Sequence, residues 1–338
     1  MREVNQYNSP KYRSGKSYII PALIMVMISL IPWSDILLSA TNKMLWDREI
    51  YAQKIITGDS VLNYFEYDTL SSYFTAEYTW EFLIKMIQDG VIPIDHTLFF
   101  QIISTIWVVS AAMILYRHGG YFCLPLIANP LVFDLAYSQL RSALAVSILY
   151  IVYLLRPKSN LIAIALCLFA ATIHTSMLIF LAIYVLCSIT ADEGGKLSGW
   201  SKEVRLALVV GVGLAIGLMI GPLRGSILTF VGDRRAEYAD ASSGLLYMSF
   251  WVILFAIFLQ NYRETFRSLE GRFTLCVLAL VFVNIFTSFY SLRFLAMFYP
   301  FAIAAIMMTR PAVRIPTLVI FLMYMAAQWY YYLNTLNG

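Results

Sequence analysis

Apolar residues do not alternate with polar ones along this chain; they gather in long blocks bounded by charge, Gly or Pro. The blocks lie near 18 to 39, 97 to 115, 121 to 135, 139 to 155, 205 to 222, 244 to 260, 272 to 290, 293 to 309 and 314 to 333. The first, YIIPALIMVMISLIPWSDILL, carries one charge, Asp35, near its end. At about 1.5 Å per residue it is long enough to cross a ~30 Å hydrocarbon core. Its apolar run exceeds the ~7–15 residues of a signal-peptide core, and no small-x-small site follows, so it is expected to be retained. The pattern predicts an all-α, polytopic transmembrane bundle of about 11 spans, two of them short, in one integral membrane domain over residues 1–338.

The stretch from Leu161 to Cys187 runs for 27 residues, about 40 Å as one helix, which overshoots a bilayer. It is either one tilted span or two short ones meeting at His174, and the two options put every later loop on opposite sides. With the N-terminus cytoplasmic, a hairpin at His174 places 15 of the 24 Lys and Arg residues inside, whereas a single span places 11 there. The positive-inside rule favours the hairpin.

Composition fits this reading, with 60% apolar and 13% charged residues against about 45–50% and about 25% in soluble domains. The net charge of +4 follows from topology and calls for no nucleic-acid partner. Cys123, Cys167, Cys187 and Cys276 all fall inside apolar blocks without metal-ligand spacing, which points to packing. No HExxH, P-loop or Gly-rich dinucleotide motif is present, so neither a metal nor a cofactor is expected.

The hairpin topology collects Arg141, His174, Arg224, Arg234, Arg235 and Arg293 on the external face at helix ends. Beyond residues 40–95, the basic residues outside are thus all arginines, whose planar fork suits phosphate or carboxylate. The external loop 40–95 holds nine acids against four bases. It is rich in aromatics, and TAEYTWEFLIKMIQDG reads as an amphipathic helix ending at a Gly. Asp47, Glu81, Trp80 and Tyr78 in this loop are candidates for a sugar-binding surface; an interfacial aromatic belt is the alternative. A second external loop spans 223–243, where Arg234 and Arg235 stand beside Asp233 and Glu237 and either bind an anion or form internal salt bridges. Arg141 opens a long apolar helix and needs an anionic partner, either a ligand or Asp134 one or two turns away. Arg293 has no acid within twenty residues on either side. His174 is placed to act as a general base or to position a hydroxyl, and equally to cap a helix end.

WDREIY at 46–51, YTWEFL at 78–83, SQLRSALA at 138–145, ATIHTSMLIF at 171–180 and YSLRFLAMFYP at 290–300 together resemble the EpsG-type branch of bacterial Wzy-like polysaccharide polymerases. The resemblance implies the C-type membrane glycosyltransferase fold in the bacterial inner membrane. It also implies periplasmic transfer of a growing glycan from undecaprenyl diphosphate to a lipid-linked oligosaccharide repeat unit, with the lipid bilayer and a chain-length regulator as partners. Arg141 and Arg293 take the arginine roles and His174 the histidine role, with Arg234 or Arg235 a looser match. Fixed guanidiniums can stabilise a departing diphosphate without a metal, and a single displacement inverts the anomeric centre. A flippase for lipid-linked sugars, needing charges near the bilayer midplane, and an integral-membrane acyltransferase are the rival readings.

Overall fold

The computed structural model describes residues 18–41, 45–59, 62, 70–155, 160–230, 245–283, 285–287 and 291–334. All regular structure among these residues is helical. The first apolar block is not one helix: α1 (Ile19–Ser29) ends before Ile31 and Pro32, and α2 (Trp33–Thr41) starts after them. Proline has no N–H and disfavours a helical residue before it, so the break falls where the chemistry requires. Within residues 40–95 the chain folds into α3 (Trp46–Thr57), α4 (Leu70–Thr75) and α5 (Tyr78–Gln88). The amphipathic segment thus forms its helix, followed by Gly90 at φ +69°.

The Asp95 side chain caps α6 (His96–Gly119) by accepting from Thr97 N at 2.9 Å. The block expected as a span over 121–135 is instead broken. A 3-10 helix (Gly120–Ile127) containing Pro125 prolongs α6, and α7 (Pro130–Tyr137) starts anew with Asn129 as its cap and Pro130 in its first turn. The Gly119–Gly120 junction is sterically demanded. A Cβ on Gly119 would lie 1.9 Å from Cys123 Sγ, and Gly120 has φ +66°. At Ser138 and Gln139 the chain turns by 104° into α8 (Leu140–Leu155).

Next come α9 (Asn160–Ile173) and α10 (Met177–Ile189), broken at His174. Ala163 and Cys167 of α9 line the same cavity as Phe180, Leu181 and Tyr184 of α10. One continuous helix would separate Ala163 from Tyr184 by about 31 Å, so the two helices form the hairpin that charge counting favours. The remaining helices are α11 (Lys202–Ile220), α12 (Arg224–Phe230), α13 (Leu245–Gln260), α14 (Tyr262–Thr265), α15 (Leu269–Val283), α16 (Ser291–Met308) and α17 (Pro311–Asn334).

Among the described residues, three apolar stretches are long enough to cross a bilayer: His96–Ile127, Lys202–Ile220 and Pro311–Asn334, with α7 and α8 a fourth if taken together. Five shorter apolar helices join them, and the chain is a multi-pass membrane protein. α6, α8, α15 and α16 form the centre. α15 is buried on almost every side, as an all-round apolar helix must be. α11 packs tightly on it because Gly213 and Gly217 leave no side chain in the way; a Cβ on Gly213 would meet Cys276 O at 2.2 Å. All four cysteines are buried and unpaired.

The apolar middle leaves the charges at two poles. One gathers α3 to α5, the start of α8, the α9–α10 turn and the start of α16. The other gathers the ends of α6, α8 and α10 with the starts of α11 and α15.

Candidate functional site

The corner between α4 and α5 carries the site's central residue. Glu77 sits at φ +55°, the sole non-glycine residue with positive φ among the described residues. That conformation costs an L-residue about 1–2 kcal/mol, so the surroundings must hold it. Its side chain is only 2% exposed and pairs through Oε2 with Arg141 Nη1. Through Oε1 it meets His174 Nδ1 at 2.6 Å and accepts from Thr175 N at 3.3 Å. Around this carboxylate, Thr175 Oγ1 donates to Phe74 O at 2.6 Å, and the Thr79 and Thr172 hydroxyls lie 2.6 Å apart. The loop corner is therefore stitched onto the turn of the α9–α10 hairpin.

The proton on His174 follows from its partner. An ionised carboxylate can only accept, so Nδ1 carries the hydrogen and Nε2 is the basic nitrogen. Arg141 is the counter-charge that lets a carboxylate persist at this depth. The alternative partner, Asp134, accepts instead from Gln139 Nε2 at 2.6 Å.

Arg293, at the start of α16, meets its partner across the fold: Nη2 lies 3.5 Å from Asp47 Oδ2 at the start of α3. This pair is looser and wetter than the first, with the Arg293 side chain 37% exposed against 19% for Arg141. Tyr51, one turn after Asp47, links the two. Burial pushes its phenol up to about 12, and the charges of Arg141, Asp47, Glu77 and Arg293 all act on it. The sequence candidates Arg141, His174, Arg293 and Asp47 are thus brought around one point, together with Glu77 and Tyr51. Arg48, on the same helix, stacks over Phe100 at 5.1 Å; burial lowers its pKa, against the opposing charges of Asp35, Tyr137 and Glu49.

Other candidates fare differently. Glu81 is buried and bonded to Lys54 Nζ at 3.2 Å, which ties α5 to α3. Trp80 is fully buried between Tyr51 and Phe99, at 4.8 and 6.1 Å between ring centres. It is therefore a core residue and offers no face to a sugar. Tyr78 is half-buried against Tyr73 and Phe82. Arg224 opens α12, at the end of α11 remote from Arg205. Arg234 and Arg235, and the 231–243 part of the loop expected at 223–243, lie outside the described residues. Glu77 and Tyr51 escaped notice, the former as one of nine acids in its loop, the latter as one aromatic among many.

Below this cluster lies an apolar cavity of about 390 Å³ between α8, α9, α10, α15 and α16, a size typical of small-ligand pockets. Met297, one turn into α16 beyond Arg293, lines it and also contacts Ser176 Oγ beside His174 at 3.9 Å. Charged groups and apolar cavity are therefore neighbours. Among the described residues, no group of three or more His, Cys, Asp or Glu side chains is arranged to hold a metal ion.

No curated protein and no solved structure matches the chain. The family model described as EpsG family matches residues 59–338, which include Glu77, Arg141, His174 and Arg293. With most of its length covered by that match, the chain belongs to the EpsG family.

Proposed function

We propose that this protein is a polysaccharide polymerase of the bacterial inner membrane, with its N-terminus cytoplasmic and the Glu77 cluster facing the periplasm. Membership of the EpsG family is consistent with a membrane polysaccharide polymerase. The donor is a glycan on undecaprenyl diphosphate, and the acceptor is the terminal sugar of a lipid-linked repeat unit. The acceptor hydroxyl oxygen attacks the anomeric carbon of the donor glycan, and the bond from that carbon to the diphosphate oxygen breaks. The electron pair leaves on the lipid diphosphate. His174 Nε2 takes the hydroxyl proton, while Glu77 holds Nδ1–H and stabilises the imidazolium that forms. A single displacement of this kind inverts the anomeric centre.

The arginines divide the remaining work. Arg141 is enclosed with Glu77 and sets its charge and position. Arg293 has a distant and partly hydrated carboxylate, which a diphosphate can displace, and its fork then meets the charge that develops on the leaving group. The apolar cavity beside Met297 is suited to the first isoprene units of the lipid. The observation that carries this reading is the single buried carboxylate, Glu77, shared by an arginine and a histidine. A transporter would instead want charges along a midplane path, and the residues lining this cavity carry none.

The test is direct. Purified protein in nanodiscs, given a defined lipid-linked repeat unit alone, should lengthen the glycan and release free lipid diphosphate in equal amounts. Translocation of the repeat unit without lengthening would contradict the proposal and favour a flippase.

A further inference from the structure

A second cavity, of about 680 Å³, opens at the pole opposite the Glu77 cluster, between the end of α6 and the start of α17. Its rim carries Arg117 and Arg314, and none of the residues lining it is acidic. Its wall is apolar and open: Phe122 and Ile315 are exposed large hydrophobics, and Val319 is 51% exposed. The nearby acids are engaged elsewhere. Glu270 pairs with His118 at 3.6 Å and accepts from the Tyr153 hydroxyl, while Glu264 pairs with Arg310 at 3.5 Å.

Both arginines are positioned before any ligand arrives. Arg117 rests over the Tyr153 ring at 5.4 Å. Arg314 Nη1 donates to Met307 O at 3.2 Å, and a guanidinium has four further N–H donors. Two fixed guanidiniums above an exposed apolar groove match a phosphate ester carrying hydrocarbon chains. A soluble phosphate would satisfy the rim and leave the wall of Phe122, Ile315 and Val319 uncovered.

We propose that this cavity binds an anionic phospholipid, with its phosphate between Arg117 and Arg314 and its acyl chains along α17. The pole is the one where positive charge places the cytoplasmic leaflet, whose anionic lipids attract Lys and Arg near the surface. This inference does not depend on the polymerase reading.

Native mass spectrometry of the purified protein in mixed micelles tests it, with phosphatidylglycerol and phosphatidylcholine supplied in equal amounts. Wild type should retain phosphatidylglycerol preferentially. The double substitution Arg117→Gln with Arg314→Gln should reduce that retention about tenfold or more. Val319→Trp, which fills the groove and leaves both arginines in place, should also reduce it. Equal retention of the two lipids by wild type would overturn the proposal, as would undiminished phosphatidylglycerol binding in Val319→Trp. Displacement of the lipid by millimolar inorganic phosphate would show a free-phosphate site instead, and a dimer formed over α17 would show a second copy as the occupant.

Discussion

The two poles use arginine in opposite ways. At the pole with α15, the Arg272 guanidinium donates to the backbone carbonyls of Cys187 and Phe266 at 2.9 Å and of Arg267 at 3.1 Å. Arg205 likewise donates to Thr190 O at 2.9 Å, and it also pairs with Asp192 at 2.8 Å. A carbonyl that ends a helix has nowhere else to go, so these guanidiniums can be released only by unfolding that end. At the Glu77 pole, both arginines terminate on side-chain carboxylates from a different part of the chain. The partly exposed Asp47 can move aside for another anion, whereas Glu77 is enclosed with Arg141. Buried arginine alone therefore does not mark a site.

The largest effect should come from His174→Ala. Loss of a general base typically costs about 10²–10⁴-fold in rate, read as repeat units joined per minute, with thermal unfolding little changed. A drop of less than about fivefold would reassign the base. Arg141→Ala should follow, because it leaves Glu77 buried without its counter-charge; breaking such a pair costs about 3–5 kcal/mol. Its unfolding midpoint in nanodiscs should fall clearly, and Arg141→Ala with Glu77→Gln should recover part of the loss. Arg293→Lys keeps the charge and removes the fork. It should weaken use of the lipid donor about tenfold while moving stability by less than about 1 kcal/mol, as an exposed pair allows.

The smallest effect belongs to the opposite pole. Burial raises the Asp192 pKa, but Lys202 and Arg205 together outweigh it and hold the carboxyl below its ordinary 3.8. A depressed acid stabilises the fold above its unfolded pKa, and that contribution disappears as pH falls through the folded value. Asp192→Asn should therefore lose less than about 1 kcal/mol near neutral pH. Its deficit relative to wild type should close as pH falls below about 4. A deficit that persists in acid would mean that Asp192 acts by packing.

Much of this comparison was legible in the sequence. Arg141, His174 and Arg293 stand out because each charge or imidazole interrupts or borders a long apolar block, where it must have a reason. The hairpin at His174 was readable from the distribution of Lys and Arg alone. Other features depend on geometry that residue types do not carry. Nothing about a glutamate announces a positive φ, so Glu77 could not be told from the loop's other acids. Asp134 is seven residues before Arg141 and would face it on a straight helix, but the 104° turn between α7 and α8 redirects it. Trp80 has the composition of a sugar platform and the position of a core residue, because α5 folds its apolar face onto Tyr51 and α6. The blocks at 18–39 and 121–135 were apolar enough to span, yet Pro32, Pro125 and Pro130 interrupt the helical ladder.

The most direct measurement is the length ladder of surface polysaccharide in cells lacking this protein and complemented, at matched membrane levels, with Glu77→Gln, His174→Ala or Glu270→Gln. Glu270→Gln removes the carboxylate that pairs with His118 at 3.6 Å and accepts from the Tyr153 hydroxyl, which disrupts a buried polar cluster at the other pole. The account predicts collapse of the ladder to a single repeat unit in the first two variants and a full ladder in the third. A full ladder with Glu77→Gln and His174→Ala, both folded and present, would contradict the placement of catalysis at the Glu77 pole.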